Sequence, residues 1–281
     1  MGHACGHNLI AEIGLAAGVA VKAVMEQDLS ICGKVVVLGT PAEEGGGGKI
    51  KLIDNGAFLD IDAALMAHPQ MNNILYPLIL DMAWVVVTFK MKNGLDPWEN
   101  ANANDAAVAC YNNVTILRNS FNPRWRVSGI IEKTAKTTDC LLECDFHDNS
   151  KSAYRGMIAN KKMATVFAKH AETKGIEFQD NNTRICESVV STDMGNVSHV
   201  VPSIHPEYFI GAQFPNVNHT PGFTAVAGSS KAQGYSLKIA ECMALTVLDL
   251  MMDPDLLTKV KIEFEANPNR SYHKYCRQAG K

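Results

Sequence analysis

Short apolar runs that stop abruptly at turn residues, with helical stretches between them, limit how this chain can fold more than any other feature. Lys34-Val35-Val36-Val37-Leu38 is continuous and β-branched, the pattern of a strand buried on both faces, and it stops at Gly39-Thr40-Pro41. Gly45 to Gly48 and a helical stretch over about 49–55 follow. Ala63-Ala64-Leu65-Met66 then reads as a second buried strand, ending at His68-Pro69. Strand, helix, strand at this spacing predicts a parallel α/β sheet flanked by helices. Upstream, Leu9, Ile10, Ile13, Leu15, Ala16 and Val19 give one helix a broad apolar face, with Asn8 available to cap it.

The texture changes after Ile74. Residues 83–90 and 125–131 read as strands with a helix over 105–118 between them, and polar residues interrupt the pattern over 133–155. The α/β texture returns with a helix over 157–174, a strand over 203–210 and a long helix over 229–252. The expected organisation is one α/β catalytic domain in two parts, 1–80 and 151–281, carrying an inserted α+β lid or dimerisation unit over 81–150. At 281 residues the chain has room for one large domain or two smaller ones, at ~100–200 residues each.

Balanced charge removes some classes of partner. With 29 acidic and 26 basic residues the net charge is -3, so nothing electrostatic calls for nucleic acid or an anionic membrane. No apolar run approaches the ~20 residues that span a bilayer, and no basic, then apolar, leader precedes the first motif. The eight cysteines are scattered (5, 32, 110, 140, 144, 186, 242 and 276) and do not form a disulfide framework. Cys140 and Cys144 have half the spacing of a metal site but no second half, so they read as structural. A reducing cytosolic setting is the expectation.

Several residues carry chemistry. Cys5 and His7 would face the same side of an extended segment, and a thiolate beside an imidazole suits zinc or a similar ion. A buried Cys beside a capping His would give the same pattern. Glu43 and Glu44 follow a predicted parallel strand, where open α/β sheets place their ligand sites. Adjacent carboxylates on a turn point different ways, so one can bind a cation while the other meets water; an exposed acidic turn is the plain alternative. The four glycines that follow allow close backbone approach. His68 falls at the end of the next predicted strand, which favours a ligand role. His219 sits in a loop with nothing local to distinguish it from a surface residue. His3, His147, His170, His199, His205 and His273 read as surface or supporting residues.

The segments His3-Ala4-Cys5-Gly6-His7-Asn8, Thr40-Pro41-Ala42-Glu43-Glu44-Gly45, Met66-Ala67-His68-Pro69 and Asn218-His219-Thr220 occur in the order of a known family. The chain resembles the aminoacylase-1 and glutamate carboxypeptidase family of co-catalytic metallopeptidases. Within it, the chain is similar to the hippurate and auxin-conjugate amidohydrolases and to the dipeptidases acting on Xaa-Arg, Xaa-Lys and β-alanyl-lysine dipeptides. Pro97-Trp98-Glu99, Trp125-Arg126-Val127, Ser191 to Val197 and His205-Pro206 extend the likeness over nearly the whole chain. The resemblance implies two divalent ions, zinc before manganese or cobalt, with Cys5, His7, Glu44, His68 and His219 as ligands. It implies Glu43 as general base, a dipeptide or N-acyl amino acid as substrate, and a homodimer.

Two departures from the family pattern set the rival expectation. Only Met1 and Gly2 precede the first motif, and the lid lacks both the His-Ala-Ala-like stretch before Pro97 and a Gly-Gly and Asn-Ile-Ile-Pro stretch after Ile131. The rival is a catalytically silent, shortened product that keeps the metal-site residues. A purely structural zinc protein fits less well, because such sites are four-coordinate without a spare carboxylate.

Overall fold

The computed structural model describes residues 2–89, 102–122, 125, 127–131, 153–179 and 190–268. The chain divides into two compact units, Met1–Met82 with Tyr154–Lys281, and Ala83–Ala153. The fold is α/β with parallel strands. Helix α1 (His7–Gln27) starts from Gly6, which holds φ 75 and ψ 22. Asn8 is therefore not the cap. It lies in the first turn and donates from Nδ2 to the Ala227 carbonyl at 2.9 Å.

Leu9, Ile13, Ala17 and Val21 are buried along one side of α1 at four-residue spacing. Leu15 and Val19 are 61% and 58% exposed, so the buried stripe is narrower than the run of apolar residues suggested. Contrary to expectation, α1 is long and apolar enough to cross a bilayer by length and composition. Here its stripe packs on a core helix, α7 (Ser230–Met252), which starts at Ser229, whose Oγ accepts from the Ala232 amide at 3.2 Å. Met163 and Phe167 of α4 (Lys161–Thr173) complete this core. Helix α4 starts later than its sequence pattern, at Asn160. That side chain accepts from Met163 N–H at 3.0 Å and donates to the Val260 carbonyl of α8 (Pro254–Glu265) at 2.9 Å.

The sheet is made of two parallel pieces. β1 (Ala64–Leu65) pairs with β3 (Ser203–Ile204), and β2 (His68–Gln70) pairs with β4 (Glu207–Phe209). The strand predicted over 203–210 is split at His205-Pro206, where proline has no N–H to give a ladder. His68 opens β2 instead of closing the strand before it, and its amide donates to the Pro206 carbonyl at 2.9 Å. Residues 34–38 form no strand, and Val36 and Val37 are exposed. The run has no ladder partner among the described residues, and apolar composition alone cannot supply one.

The short elements around the site are α2 (Gly48–Asp54), α5 (Met194–Ser198) and α6 (Pro221–Ala227), the last capped by the Thr220 hydroxyl. In the second unit, α3 (Ala103–Leu117) begins at Asn102, whose side chain accepts from Asn104 N–H at 3.0 Å, and ends in a 3-10 turn over Arg118–Ser120. Strands expected over 83–90 and 125–131 are not found among their described residues; Val86 and Ile130 are 76% and 81% exposed. Lys90, Arg126, Pro97 to Glu99, Cys140, Cys144, His147, Cys186, His273 and Cys276 lie outside the described residues.

The core assignment gives a direct expectation. Phe167→Ala should cost about 3–5 kcal/mol and Ile13→Val about 0.5–1.5 kcal/mol in urea unfolding. Leu15→Ala should change stability by less than about 0.5 kcal/mol. Equal costs for Ile13→Val and Leu15→Ala would contradict the observed face of α1.

Candidate metal centre

The cluster begins with a turn, not the extended segment the Cys-x-His spacing suggested. Gly6 donates from its amide to the His3 carbonyl at 3.2 Å, and its left-handed backbone swings the chain from Cys5 into α1. A side chain at Gly6 would place Cβ 2.5 Å from Pro69 Cγ, so only glycine fits there without displacement. That close approach sets the Cys5 turn against the start of β2. Cys5 Sγ lies 3.6 Å from His68 Nε2.

His68 is oriented from its other side. Its Nδ1 donates to the Pro69 carbonyl at 2.9 Å, which leaves the Nε2 lone pair facing the thiol. His7, the first residue of α1, meets His68 edge-on with ring centroids 5.9 Å apart. Its Nε2 is 3.8 Å from Glu43 Oε2 and 3.7 Å from Glu44 Oε1. The Glu pair sits on the turn before α2, where Ala42 has φ 66. His219 also holds a left-handed backbone, φ 69, and its amide donates to the Ala4 carbonyl at 2.7 Å. That bond ties the 218–220 loop to the N-terminal turn, and His219 Nε2 lies 3.3 Å from Glu44 Oε1. Left-handed backbone at a non-glycine residue costs of order 1–3 kcal/mol. Both non-glycine examples among the described residues, Ala42 and His219, flank this cluster.

Donor atoms of Cys5, His7 and His68 lie within 4.8 Å of one another, as do those of Cys5, Glu44 and His219 and those of His7, Glu43 and Glu44. A cavity of about 300 Å³ opens beside them, lined by Gly2, His3, Ala4, Cys5, His7, Glu44 and His219. All six residues singled out in the sequence are thus brought together by structure.

Burial dominates the electrostatics. It pushes the Cys5 thiol up to about 12, with the Glu44 and Glu43 charges adding to the rise and the Asn218 amide opposing it. Burial also lowers His68 to about 4, with the His7 and His219 charges adding and the Pro69 carbonyl opposing. Glu43 is raised, first by burial, against the pull of the Thr192 hydroxyl and Lys49. The donors fit a divalent cation. The imidazole is neutral, its outward nitrogen faces a polarisable sulfur, and the carboxylates supply the charge that a bound cation would offset. Asn218 Nδ2 reaches Cys5 Sγ at 3.8 Å and the Pro69 carbonyl at 3.3 Å, while its own buried Oδ1 has no partner among the described residues.

Some residues here gave no local signal in the sequence. His205, read as surface or supporting, is buried with its ring 5.8 Å from that of His68, and its Nδ1 is without a partner among the described residues. Burial lowers its pKa well below the ordinary value. Thr192 and Asp193 stood only in a segment carrying family likeness, and Lys49 and Tyr154 in no motif at all. A lysine directly after a glycine run was the one available clue.

Comparison with known proteins bears on the family and the fold. The profile of Peptidase family M20/M25/M40 matches residues 1–249. A Xaa-Arg dipeptidase of Mus musculus is 38% identical over 315 aligned positions, which cover 94% of this chain and 70% of that protein. A structure from methicillin-resistant Staphylococcus aureus, described as an aminohydrolase, superposes with a TM-score of 0.58 at 19% identity, covering 89% of this chain and 74% of that one. The Bacillus subtilis YXEP protein, described as a dinuclear metal-binding peptidase, superposes with a TM-score of 0.50 at 14% identity, covering 88% and 73%. At these identities the two superpositions speak to the fold.

Burial of the histidines sets a pH window for the metal-free protein. His68 titrates at about 4 when folded and near 6.5 when unfolded. The unfolded chain therefore binds more protons below 6.5, so this contribution is complete above that pH and is lost as pH falls through 4. His205, shifted the same way, adds to the loss. The Tm of chelator-treated protein should fall across that window. A Tm that stays flat there would contradict the burial of both rings.

Proposed function

The chain belongs to peptidase family M20/M25/M40, and on that premise we propose that it hydrolyses the amide bond of a dipeptide or N-acyl amino acid at a centre of two divalent ions. Cys5, His7, Glu44, His68 and His219 are the ligands in this reading, and Glu43 is the general base. One observation carries it: the three donor groups overlap, since Cys5, His7 and Glu44 each belong to two of them. Shared donors are what two neighbouring ions need and what one four-coordinate structural ion does not. The description of the Bacillus subtilis neighbour as a dinuclear peptidase accords with this, and the Xaa-Arg activity named for the mouse relative suggests the substrate class. The cavity, about 300 Å³, suits a small substrate.

Zinc, with manganese or cobalt as alternatives, would when bound polarise the scissile carbonyl and acidify water. The protein's own residues supply the rest. Glu43 Oε2 faces the donor cluster from the His7 side, so it can accept the proton of an attacking water. Burial makes that carboxylate hold a proton more readily than an exposed glutamate, which lets it serve first as base and then as acid to the leaving amine nitrogen. The nearby Thr192 hydroxyl favours the charged carboxylate and limits this shift.

A second reading, a chain that holds metal without turnover, is favoured by one observation. The described parts of 83–90 and 125–131 lack the strands that a complete lid would contribute, and Trp84, Val85, Val86, Trp125, Ile130 and Ile131 are exposed.

Hydrolysis of β-alanyl-lysine, Xaa-Arg dipeptides and N-acyl amino acids, followed with and without a chelator, separates the two. The enzyme reading predicts chelator-sensitive turnover; bound metal with no turnover on any of these would favour the second. Glu43→Gln should lower turnover by ~100-fold or more with metal content intact, whereas Glu44→Ala should lose metal. Equal metal loss in both variants would undo the division of roles between them.

A further inference from the structure

Behind the Glu43–Glu44 turn lies a buried polar assembly that metal coordination does not call on. Lys49 and Asp193 form an ion pair from which water is almost excluded, their side chains 7% and 0% exposed. Lys49 Nζ donates to Asp193 Oδ1 at 2.7 Å, and the Lys49 amide donates to Asp193 Oδ2 at 2.9 Å. One carboxylate thus neutralises the lysine and also satisfies a backbone donor in the first turn of α2. The residue before it, Thr192, lies close enough to Glu43 for its hydroxyl to favour the charged carboxylate. On the backbone side, the Tyr154 hydroxyl donates to the Glu43 carbonyl and accepts from the Gly47 amide at 3.1 Å, so one side chain spans the turn from end to end.

The turn needs such a hold. Gly48 passes so close to Pro41 that a Cβ there would lie 1.8 Å from its carbonyl oxygen, and Gly46 would meet Ala42 Cβ at 2.6 Å. Consecutive glycines permit that path but also permit many others. A buried ion pair is a poor way to gain stability, because desolvation offsets most of its attraction. Its value here is geometric.

We propose that Lys49, Asp193 and Tyr154 are positioning residues that hold the Glu43–Gly48 turn, and through it both carboxylates, at the edge of the donor cluster. The metal half of the test below rests on the proposed function; the exchange half does not.

Two variants separate the brace from ordinary packing. Tyr154→Phe removes only the hydroxyl, and Lys49→Met with Asp193→Leu removes the pair without leaving a lone buried charge. A core variant of α7 such as Ile239→Val serves as control, with the comparison made at temperatures equally far below each Tm. Hydrogen exchange of the 43–49 amides in the metal-free protein should speed up in both brace variants and not in the control. Zinc affinity, read by competition with a chromophoric chelator, should weaken ~10- to 100-fold in the brace variants. Unchanged exchange of the turn in both variants would overturn the proposal, as would zinc affinity equal to the control's. If the natural chain itself binds no zinc, the metal-centre reading fails on its own, and the exchange comparison alone decides the brace.

Discussion

Burying a thiol and an imidazole against each other, with carboxylates at their rim, is the constraint on which the rest of this structure depends. Cys5 Sγ and His68 Nε2 face one another at 3.6 Å, both drawn toward their neutral forms by burial. Sulfur is a weak hydrogen-bond acceptor, so the pair gains little from its own contact. Desolvated donors without good internal partners are unfavourable unless a ligand compensates. Other polar groups around them are in the same position: Nδ1 of His205 and Oδ1 of Asn218 are buried without partners among the described residues.

The scaffold brings these donors together from four stretches of chain distant in sequence: Cys5 with His7, Glu43 with Glu44, His68, and His219. The short strands matter less as a sheet than as a guide: the chain leaves β3 for β4 just where His205 and Pro206 interrupt the ladder, and His68 enters β2 opposite that break. Helix α1 is anchored in the core by Leu9 and Ile13, so its first residue, His7, is held firmly at the mouth of the cavity. The loop carrying His219 is tied to the same turn through the Ala4 carbonyl. Strain at Ala42 and His219 is therefore borne by segments whose ends are fixed by the core.

Sequence and structure agree where chemistry is local and part where it is not. The helix beginning at Gly48 and the long helix from Ser230 follow from periodicity and caps, and Glu43 and Glu44 stand out because like charges rarely adjoin a glycine run without cause. Residues 34–38 mislead because β-branched apolar residues record a preference for extended backbone, whereas a strand also needs a partner. Cys5 and His7 come together through a left-handed Gly6, a conformation the spacing alone does not reveal. His205, Thr192, Asp193 and Tyr154 act through contacts made across more than a hundred residues, or from behind another ring. Such roles have no pattern in one sequence; family resemblance pointed to the segments of His205, Thr192 and Asp193 without naming what the residues do, and did not point to Tyr154.

The proposed centre would place the Cys5 sulfur on the metal. X-ray absorption at the zinc edge of the zinc-loaded chain reads that directly. It should show a zinc–sulfur shell near ~2.3 Å corresponding to one sulfur shared over two ions, with nitrogen and oxygen neighbours at about 2.0–2.2 Å. The sulfur shell should vanish in Cys5→Ser. No sulfur shell in the natural chain, or one corresponding to several cysteines per ion and unaffected by Cys5→Ser, would contradict the centre described here.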